Sequence, residues 1–238
     1  MKVSMRKNIK IIDASPEHIL NIKEGCSECI LRKISICDIV TKSELNLLED
    51  LSSNVYFSKN ANLFHLGDQS NFVYTITSGI ARIVVHLKDG RRQILGFLLP
   101  GDFIGLSLEP EWNFSVEAVT PISACQFSRL KFKQFMSKNL NGPSKIQDLS
   151  RNEIEELYKL IVILGVMNAE EKLMKFILMQ KKRWDYINST ISDIVPINMT
   201  RQDIANYLGM TIETVSRSFS TLEKKKLIII KIHAVKIL

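Results

Sequence analysis

Hydrophobic and polar residues follow two different periods along the chain, and the change of period divides it into parts. Between about residues 55 and 127 the apolar runs are short and separated by turn pairs at intervals of 11–12 residues: Gly67-Asp68, Ser78-Gly79, Asp89-Gly90 and Pro100-Gly101-Asp102. The stretch YTITSGIARIVVHL alternates β-branched and other residues as two strands around a turn would. Regularly spaced short strands are typical of a sandwich or roll. We therefore predict a β-roll within residues 45–140, ending with an accessory helix over 128–140.

A long helix is predicted after the turn sequence Asn141-Gly142-Pro143. Residues 148–182 are continuously compatible with a helix, which corresponds to about ten turns at ~3.6 residues per turn. Positions three and four apart form the seam of a coiled coil: Ile154, Leu157, Ile161, Leu164 and, less regularly, Asn168. A single buried helix is the alternative, but a helix this long would leave an apolar stripe exposed. We predict a parallel dimer along this seam, with residues 141–183 as dimerisation helix and hinge.

The period of a helix returns in two short segments near the C-terminus. Thr200 lies three residues before Asp203, the spacing of a capping box, and Gly209 is suited to end the first helix. Thr211 is placed to cap the second helix. The expected inward-facing residues are Ile204, Tyr207 and Leu208 on the first helix and Ile212, Val215, Phe219 and Leu222 on the second. This pattern predicts a helix-turn-helix within residues 184–238, followed by a wing with strands at 228–230 and 235–238.

The outward face of the second helix has side chains that suit DNA. Arg217 can bind guanine in a bidentate manner, Glu213 can accept from cytosine, and Ser216 can pair with several bases. The basic residues Lys224–Lys226 follow where the helix ends, a position suited to phosphates. The remaining predicted DNA contacts lie at the helix starts: Thr200, Arg201 and Thr211. An ordinary charged helix surface is the alternative that this pattern leaves open.

Composition and charge support a polyanion-binding module joined to a nearly neutral body. The net charge is +7, and residues 181–238 carry ten Lys/Arg against five Asp/Glu. With 45% apolar residues and no run of roughly 18 that could cross a bilayer, we expect a cytoplasmic protein without a membrane partner. Neither the four histidines nor any Ser/His/Asp or paired-carboxylate set has the spacing of a catalytic or metal site, so no enzyme is predicted.

Three of the four cysteines lie within twelve positions. Cys26, Cys29 and Cys37 have the spacing C-x2-C-x7-C, and Cys125 follows on a predicted strand near the rim of the roll. Disulfides are not expected in a reducing compartment. A structural zinc prefers two close pairs of ligands, whereas three clustered thiolates and one distant thiolate suit an iron–sulfur cubane. The pattern favours the cubane and leaves zinc or thiol chemistry open.

The string TRQDIANYLGM–TIETVSR closely resembles the recognition module of the CRP/FNR family of bacterial transcription regulators. Its E-x-x-S-R form is similar to the FNR branch, and the x7 spacing resembles the FixK- and FnrN-like branch. The resemblance implies an α+β fold: a cyclic-nucleotide-binding-like jelly roll, a long dimerisation helix and a C-terminal winged helix-turn-helix. It also implies a joint at Met167-Asn168 and an N-terminal cysteine-bearing segment over residues 1–44.

The resemblance further implies a homodimer that binds double-stranded DNA at TTGAT-like inverted repeats and contacts RNA polymerase. It makes Cys26, Cys29, Cys37 and Cys125 the ligands of a [4Fe–4S] cluster that responds to oxygen or nitric oxide. Related oxygen-labile proteins carry a carboxylate at the position of Leu157, so the apolar residue here is expected to tighten the dimer. No cyclic nucleotide is expected, because residues 106–124 contain no Arg or Lys and do contain Glu109, Glu111 and Glu117.

Overall fold

The computed structural model describes residues 25–106 and 109–238 of the chain. Within this part the chain begins with three short 3₁₀ helices, Cys26–Glu28, Arg32–Ile34 and Ile36–Ile39, followed by helix α1 (Leu45–Asp50). The first 24 residues of the predicted N-terminal segment, with His18 among them, lie outside the described part.

Two antiparallel four-stranded sheets form the predicted roll. The eight strands are β1 (Ser52–Phe57), β2 (Asn62–Phe64), β3 (Phe72–Ser78), β4 (Ala81–His86), β5 (Arg92–Leu98), β6 (Phe103–Ile104), β7 (Ser115–Ala118) and β8 (Ile122–Ser128). They are ordered β1-β8-β3-β6 in one sheet and β2-β7-β4-β5 in the other. Aromatic side chains fill the space between the sheets, where the rings of Phe64 and Trp112 stack with centroids 4.0 Å apart.

Helix α2 (Arg129–Lys138) follows the roll, and α3 (Gly142–Val166) and α4 (Ala169–Asn188) follow α2. The prediction of one continuous helix over 148–182 is wrong in two respects. Helix α3 begins six residues earlier, at Gly142. Pro143 is tolerated in its first turn, because backbone N–H groups there have no partner within the helix and proline has none to leave unpaired. Helix α3 also ends at Val166, because Met167 and Asn168 are extended and the Asn168 side chain caps α4. The joint expected at Met167-Asn168 is therefore present.

The C-terminal part consists of β9 (Ile194–Pro196), α5 (Arg201–Leu208), α6 (Ile212–Lys224), β10 (Ile228–Lys231) and β11 (Ala234–Ile237). The two predicted wing strands are confirmed, and β9, which was not predicted, pairs with β11. Helix α4 extends past the predicted domain boundary at 183/184. No helix in the described part is long and apolar enough to cross a membrane. The α+β fold, with a roll, long helices and a winged helix-turn-helix, is confirmed.

One hydrophobic core joins the two ends of the molecule. It contains Ile94 and Phe97 of β5, Phe176 of α4, and Tyr207 and Phe219 of the helix-turn-helix. The ring centroid of Phe97 lies 5.4 Å from that of Tyr207 and 6.0 Å from that of Phe176. The helix-turn-helix is therefore packed directly against the β4–β5 hairpin of the roll.

Candidate DNA-binding surface and cysteine cluster

The first helix of the helix-turn-helix is capped as its sequence predicts. The Thr200 hydroxyl oxygen accepts from the backbone N–H of Asp203 at 3.0 Å, and the Asp203 carboxylate accepts from that of Thr200 at 3.1 Å. Gly209 ends the helix with a φ of +61°, a left-handed conformation that costs glycine little. The turn between the two helices is therefore encoded locally.

The second helix, α6, differs from the prediction at one inward position. Thr211 caps it by accepting from the N–H of Thr214 at 3.2 Å, and Val215, Phe219 and Leu222 are buried as expected. Ile212, which was expected to face inward, is 39% exposed. It belongs to the first turn of α6, which extends beyond the core, and Ser218 is buried in the middle of the helix instead.

The exposed face of α6 brings together the three residues predicted to read bases. Glu213, Ser216 and Arg217 are all exposed and form what we call the recognition stripe. Hydrogen bonds from the Glu213 backbone N–H and the Thr211 hydroxyl, together with the Arg217 charge, hold the pKa of the Glu213 carboxyl below its ordinary value. At neutral pH the recognition stripe therefore places the Glu213 carboxylate, which accepts hydrogen bonds, beside the Arg217 guanidinium, which donates them.

The other predicted DNA contacts lie at the starts of the helices. Thr200 and Thr211 are exposed N-caps, whereas the Arg201 guanidinium lies 3.3 Å from the ring centroid of Phe219. This packing half-buries Arg201, and burial lowers the pKa of its guanidinium from the usual value. Among the basic residues after α6, Lys225 forms an ion pair with Glu170 of α4. Lys225 is therefore tied to the protein's own α4.

The cysteine-bearing segment lies against the outer face of the β1-β8-β3-β6 sheet. Leu31, Ile36 and Val40 are buried, and Ile36 and Val40 belong to a cluster shared with Phe127 of β8 and Phe132 of α2. The Arg32 guanidinium donates to the Val40 carbonyl at 2.9 Å and closes the loop that carries Cys37. The segment therefore has a fixed place on the roll.

Cys125 lies in the middle of β8 rather than at the rim of the roll. Strand β8 pairs with β1 on one side and with β3 on the other. Because neighbouring residues of a strand point to opposite faces, Ala124 enters the roll and Cys125 packs on the outside with Cys26 and Cys37. The Cys125 thiol lies 3.7 Å from the Asn54 side-chain oxygen, to which it donates. The prediction of a rim position is wrong, but the N-terminal segment still reaches Cys125.

Burial makes two of the thiols, Cys37 and Cys125, weaker acids than a free cysteine. Burial raises the pKa of Cys125 to about 12, and the neighbouring Cys37, Cys29 and Cys26 add to this increase. Burial also raises the pKa of Cys37 to about 11, while the pKa of Cys26 is raised by burial and by Glu49. Cys26, Cys37 and Cys125 border the same apolar cluster, whereas Cys29 is exposed.

The donor set fits an iron–sulfur cluster in its chemistry, since Cys26 and Cys37 from one segment and Cys125 from β8 border the same apolar cluster beside the roll. Within residues 25–106 and 109–238, no three histidine, cysteine or carboxylate side chains are arranged to hold a metal ion.

The predicted dimer seam is an exposed apolar stripe over most of its length. Ile154, Leu157 and Ile161 are all more than 40% exposed on α3. Two predicted members differ: Leu164 packs into the core that contains the helix-turn-helix, and Asn168 caps α4. The exposed stripe continues instead through residues that the seam pattern omitted: Tyr158, Val162 and Val166.

An interdomain ion network was not foreseen from the sequence. Asp203, 1% exposed, accepts from Arg82 of β4 at 2.6 Å and from Arg92 of β5 at 3.1 Å. Glu117 of β7 pairs with both arginines, at 2.6 and 3.5 Å. Glu117 is therefore paired with two arginines on the face of β7 opposite to Val116 and Ala118, which enter the core of the roll. Since Asp203 is more than 100 positions from either arginine, local patterns carried no signal for this contact.

Two family models match the chain. Residues 54–139 match the cyclic nucleotide-binding domain, and residues 197–228 match the bacterial regulatory proteins of the crp family. These matches coincide with the roll and with the helix-turn-helix.

Curated relatives and a solved structure cover most of the chain. The nitrogen fixation regulation protein FixK of Bradyrhizobium diazoefficiens is 39% identical over 84% of each chain. The transcriptional activatory protein AadR of Rhodopseudomonas palustris is 34% identical over 89% of this chain and 88% of its own. The structure of FixK2 from Bradyrhizobium japonicum has a TM-score of 0.72 at 26% identity, over 78% of this chain and 92% of that chain.

Proposed function

Because the chain belongs to the CRP/FNR family of DNA-binding transcription regulators, which act as dimers, we propose that it is an iron–sulfur-dependent, oxygen-responsive member. In this proposal a homodimer binds TTGAT-like inverted repeats and acts on RNA polymerase in anaerobic or microaerobic gene expression. The chain is not an enzyme, since its relatives are transcription regulators.

The observation that carries the DNA-binding part is the recognition stripe. Glu213, Ser216 and Arg217 are exposed on one face of α6, while the opposite face is buried in the core. Such a helix can enter a major groove without disturbing its own packing. Arginine and glutamate match guanine and cytosine edges, which supports a half-site that contains a G·C pair.

The cysteine neighbourhood supports the sensing part. Cys26, Cys29 and Cys37 from one segment and Cys125 from β8 would hold the cluster. When bound, a [4Fe–4S] cluster supplies a redox-labile centre that oxygen or nitric oxide can break down. Each thiol must release its proton to become a ligand, so the raised pKa values make ligation dependent on pH. The same raised pKa values disfavour Cys37 and Cys125 as the reactive thiols of an oxidation switch, because the thiolate is the reactive form.

The cysteine-bearing segment also contacts α3, which carries the proposed dimer seam. Asp38, next to Cys37, pairs with Lys145 in the first turns of α3 at 3.8 Å. Ile146 and Leu149 of α3 pack against the cluster of apolar residues that surrounds Cys37 and Cys125. A change in the position of this segment therefore acts directly on the start of the dimerisation helix.

Cyclic nucleotides are not the proposed ligand. The interior of the roll is occupied by the packed rings of Phe64, Tyr74, Trp112 and Phe114. A phosphate buried there would also find no arginine or lysine in residues 106–124. We expect a titration with cyclic AMP to change neither the tryptophan fluorescence nor the DNA affinity.

The test of the sensing proposal is metal and sulfide analysis of protein purified without air. We expect about four irons and four sulfides per chain and a broad visible absorption that bleaches in air. The Cys125→Ser variant should lose the absorption but keep the helix content of the wild type. A colourless protein with zinc, or with no metal, would leave DNA binding intact and refute the sensing mechanism.

A further inference from the structure

Four charged side chains connect the roll to the first helix of the helix-turn-helix. The Asp203 carboxylate uses one oxygen to bind Arg82 and Arg92 and the other to complete the capping box with Thr200. Glu117 holds the same two arginines from the neighbouring strand. A single carboxylate therefore fixes both the local start of α5 and the distance of α5 from the β4–β5 hairpin.

Packing around these charges leaves α5 little freedom to slide. The Gln93 side chain donates to the Tyr207 carbonyl at 3.4 Å, and the rings of Phe97, Phe176 and Tyr207 lie against one another. Arg183 of α4 donates to the Phe97 carbonyl at 2.6 Å and also pairs with Asp102. Apolar contacts alone tolerate rotation, whereas two arginines directed at one buried carboxylate select a single orientation.

The network does not hide the DNA-binding face. Glu213, Ser216 and Arg217 stay exposed while Asp203 is buried against the roll. An inhibitory contact would be expected to cover the recognition stripe. The contact leaves that stripe uncovered, which favours a role in positioning.

We propose that Arg82, Arg92, Glu117 and Asp203 set the position of α6 relative to the roll, and thereby set the spacing between half-sites that the dimer accepts. This inference rests on the proposed function, in which two copies of α6 read an inverted repeat. The four residues are positioning residues, since they act through α5 and do not touch the DNA themselves. They hold the two α6 helices of the dimer at a fixed separation.

The test compares the affinity for inverted repeats whose central spacer is matched, or longer or shorter by one and two base pairs. We expect the affinity of the wild type to fall on the order of 100-fold from the matched spacer to a mismatched one, because the dimer then cannot bind both half-sites at once. In the double variant Arg82→Gln/Arg92→Gln this penalty should fall to about tenfold or less. The discrimination at the G·C pair read by Arg217 should stay unchanged within each half-site.

Matched controls come from the same hairpin. Arg91 adjoins Arg92 but is 76% exposed and pairs with Asp89 at the turn, so Arg91→Gln removes the same charge without touching the network. Combined with Lys88→Gln, it matches the double variant in total charge and should keep the full spacing penalty. The variants Arg82→Lys and Arg92→Lys, which retain a cation, should restore part of the penalty. An unchanged penalty in the double variant would overturn the inference.

A measurement without DNA separates this inference from the proposed function. Spin labels on Lys88 and Lys224 of one protomer, diluted with unlabelled protein, report the distance between the hairpin and α6. We expect a narrow distribution in the wild type and a broad one in the double variant. Failure of the wild type to bind any inverted repeat would refute the proposed function, while equally narrow distributions in both proteins would refute the positioning role.

Discussion

Arg217 is the single arginine of α6, and it lies in the middle of the recognition stripe. A bidentate contact to guanine contributes about 1–3 kcal/mol of discrimination against the wrong base. We expect Arg217→Ala to weaken binding to the specific site by this amount and to relax the preference at one G·C pair. Fluorescence anisotropy with specific and randomised DNA measures both effects.

Lys224 provides the control for Arg217. It is exposed at the end of α6, where we expect a cation to contact phosphates rather than bases. Lys224→Ala should therefore weaken binding to specific and to random DNA by the same factor. It should also reduce the slope of log affinity against log salt concentration by about one. If Arg217→Ala produced the same uniform loss, its role as a base reader would be refuted.

The four thiols differ enough in their surroundings to predict an order of reaction in metal-free protein under reducing conditions. Cys29 is exposed, whereas burial raises the pKa of Cys37 to about 11 and that of Cys125 to about 12. A raised pKa lowers the thiolate fraction at neutral pH, and below the pKa this fraction grows about tenfold per pH unit. Iodoacetamide should label Cys29 first, and labelling of Cys37 and Cys125 should accelerate up to strongly alkaline pH. Peptide mass mapping gives the order, and equal rates for Cys29 and Cys37 at neutral pH would contradict it.

Single residues show where sequence reasoning succeeds and where it fails. The caps at Thr200 and Thr211 and the left-handed Gly209 were predictable, because they depend on residues within four positions. The burial of Asp203 was not predictable, since its partners lie on β4 and β5 and a capping aspartate is ordinarily exposed. The exposure of Ile212 was missed because the helical period does not show where the core ends.

At the scale of elements, α3 provides an apolar stripe that a second copy can cover. Leu157 is 44% exposed in the middle of this stripe, between Ile154 and Ile161. A charge there would be buried without a partner in a dimer, which costs several kcal/mol. We expect Leu157→Asp to shift the protein to monomer at micromolar concentration in sedimentation velocity.

Asn152→Asp provides the control for this change. It adds the same charge to α3 at an exposed position outside the seam, and it should leave the dimer intact. The wild type without a cluster should itself remain dimeric, since an apolar Leu157 replaces the carboxylate expected at this position in oxygen-labile relatives. A monomeric metal-free wild type would refute this proposed effect of Leu157.

The division between α3 and α4 shows how far the local sequence pattern predicts where a helix ends. Helical propensity runs through Met167 and Asn168 without interruption, yet Asn168 forms a capping box with Glu171 and begins a new helix. The local signal was present in the order N-x-x-E, but a continuous apolar period outweighed it. Which of the two patterns prevails depends on the core, where Leu164 packs beside the helix-turn-helix rather than along the seam.

At the scale of the whole molecule, the roll and the DNA-binding part share a core. The contact between them could not be read from the sequence, because Phe97, Phe176 and Tyr207 each belong to a separate amphipathic element and each pattern predicts burial without naming a partner. The consequence is energetic coupling. The packed rings and paired charges give a change on the roll a contiguous route to α5, and the coupling can be measured.

The two tryptophans can measure this coupling, because one is buried in each part. Trp112 lies in the aromatic core of the roll, and Trp184 of α4 lies in the core that the roll shares with the C-terminal part. In the single-tryptophan variants Trp112→Phe and Trp184→Phe, we expect urea unfolding curves with coincident midpoints, as for one cooperative unit.

Removing the ring of Phe97 should make the urea unfolding curves followed by Trp112 and by Trp184 differ. Phe97 is 5% exposed and joins the β4–β5 hairpin to Phe176 and Tyr207, so Phe97→Ala leaves a cavity at the contact itself. The free energy of unfolding should decrease by about 3–5 kcal/mol. Part of this decrease comes from weaker contact between the roll and the C-terminal part. The Trp112 and Trp184 midpoints should then differ. Phe72→Ala, which truncates an exposed ring on β3, should leave them coincident. Coincident midpoints in Phe97→Ala would show that the two parts are held together by the ion network at Asp203 rather than by the shared rings.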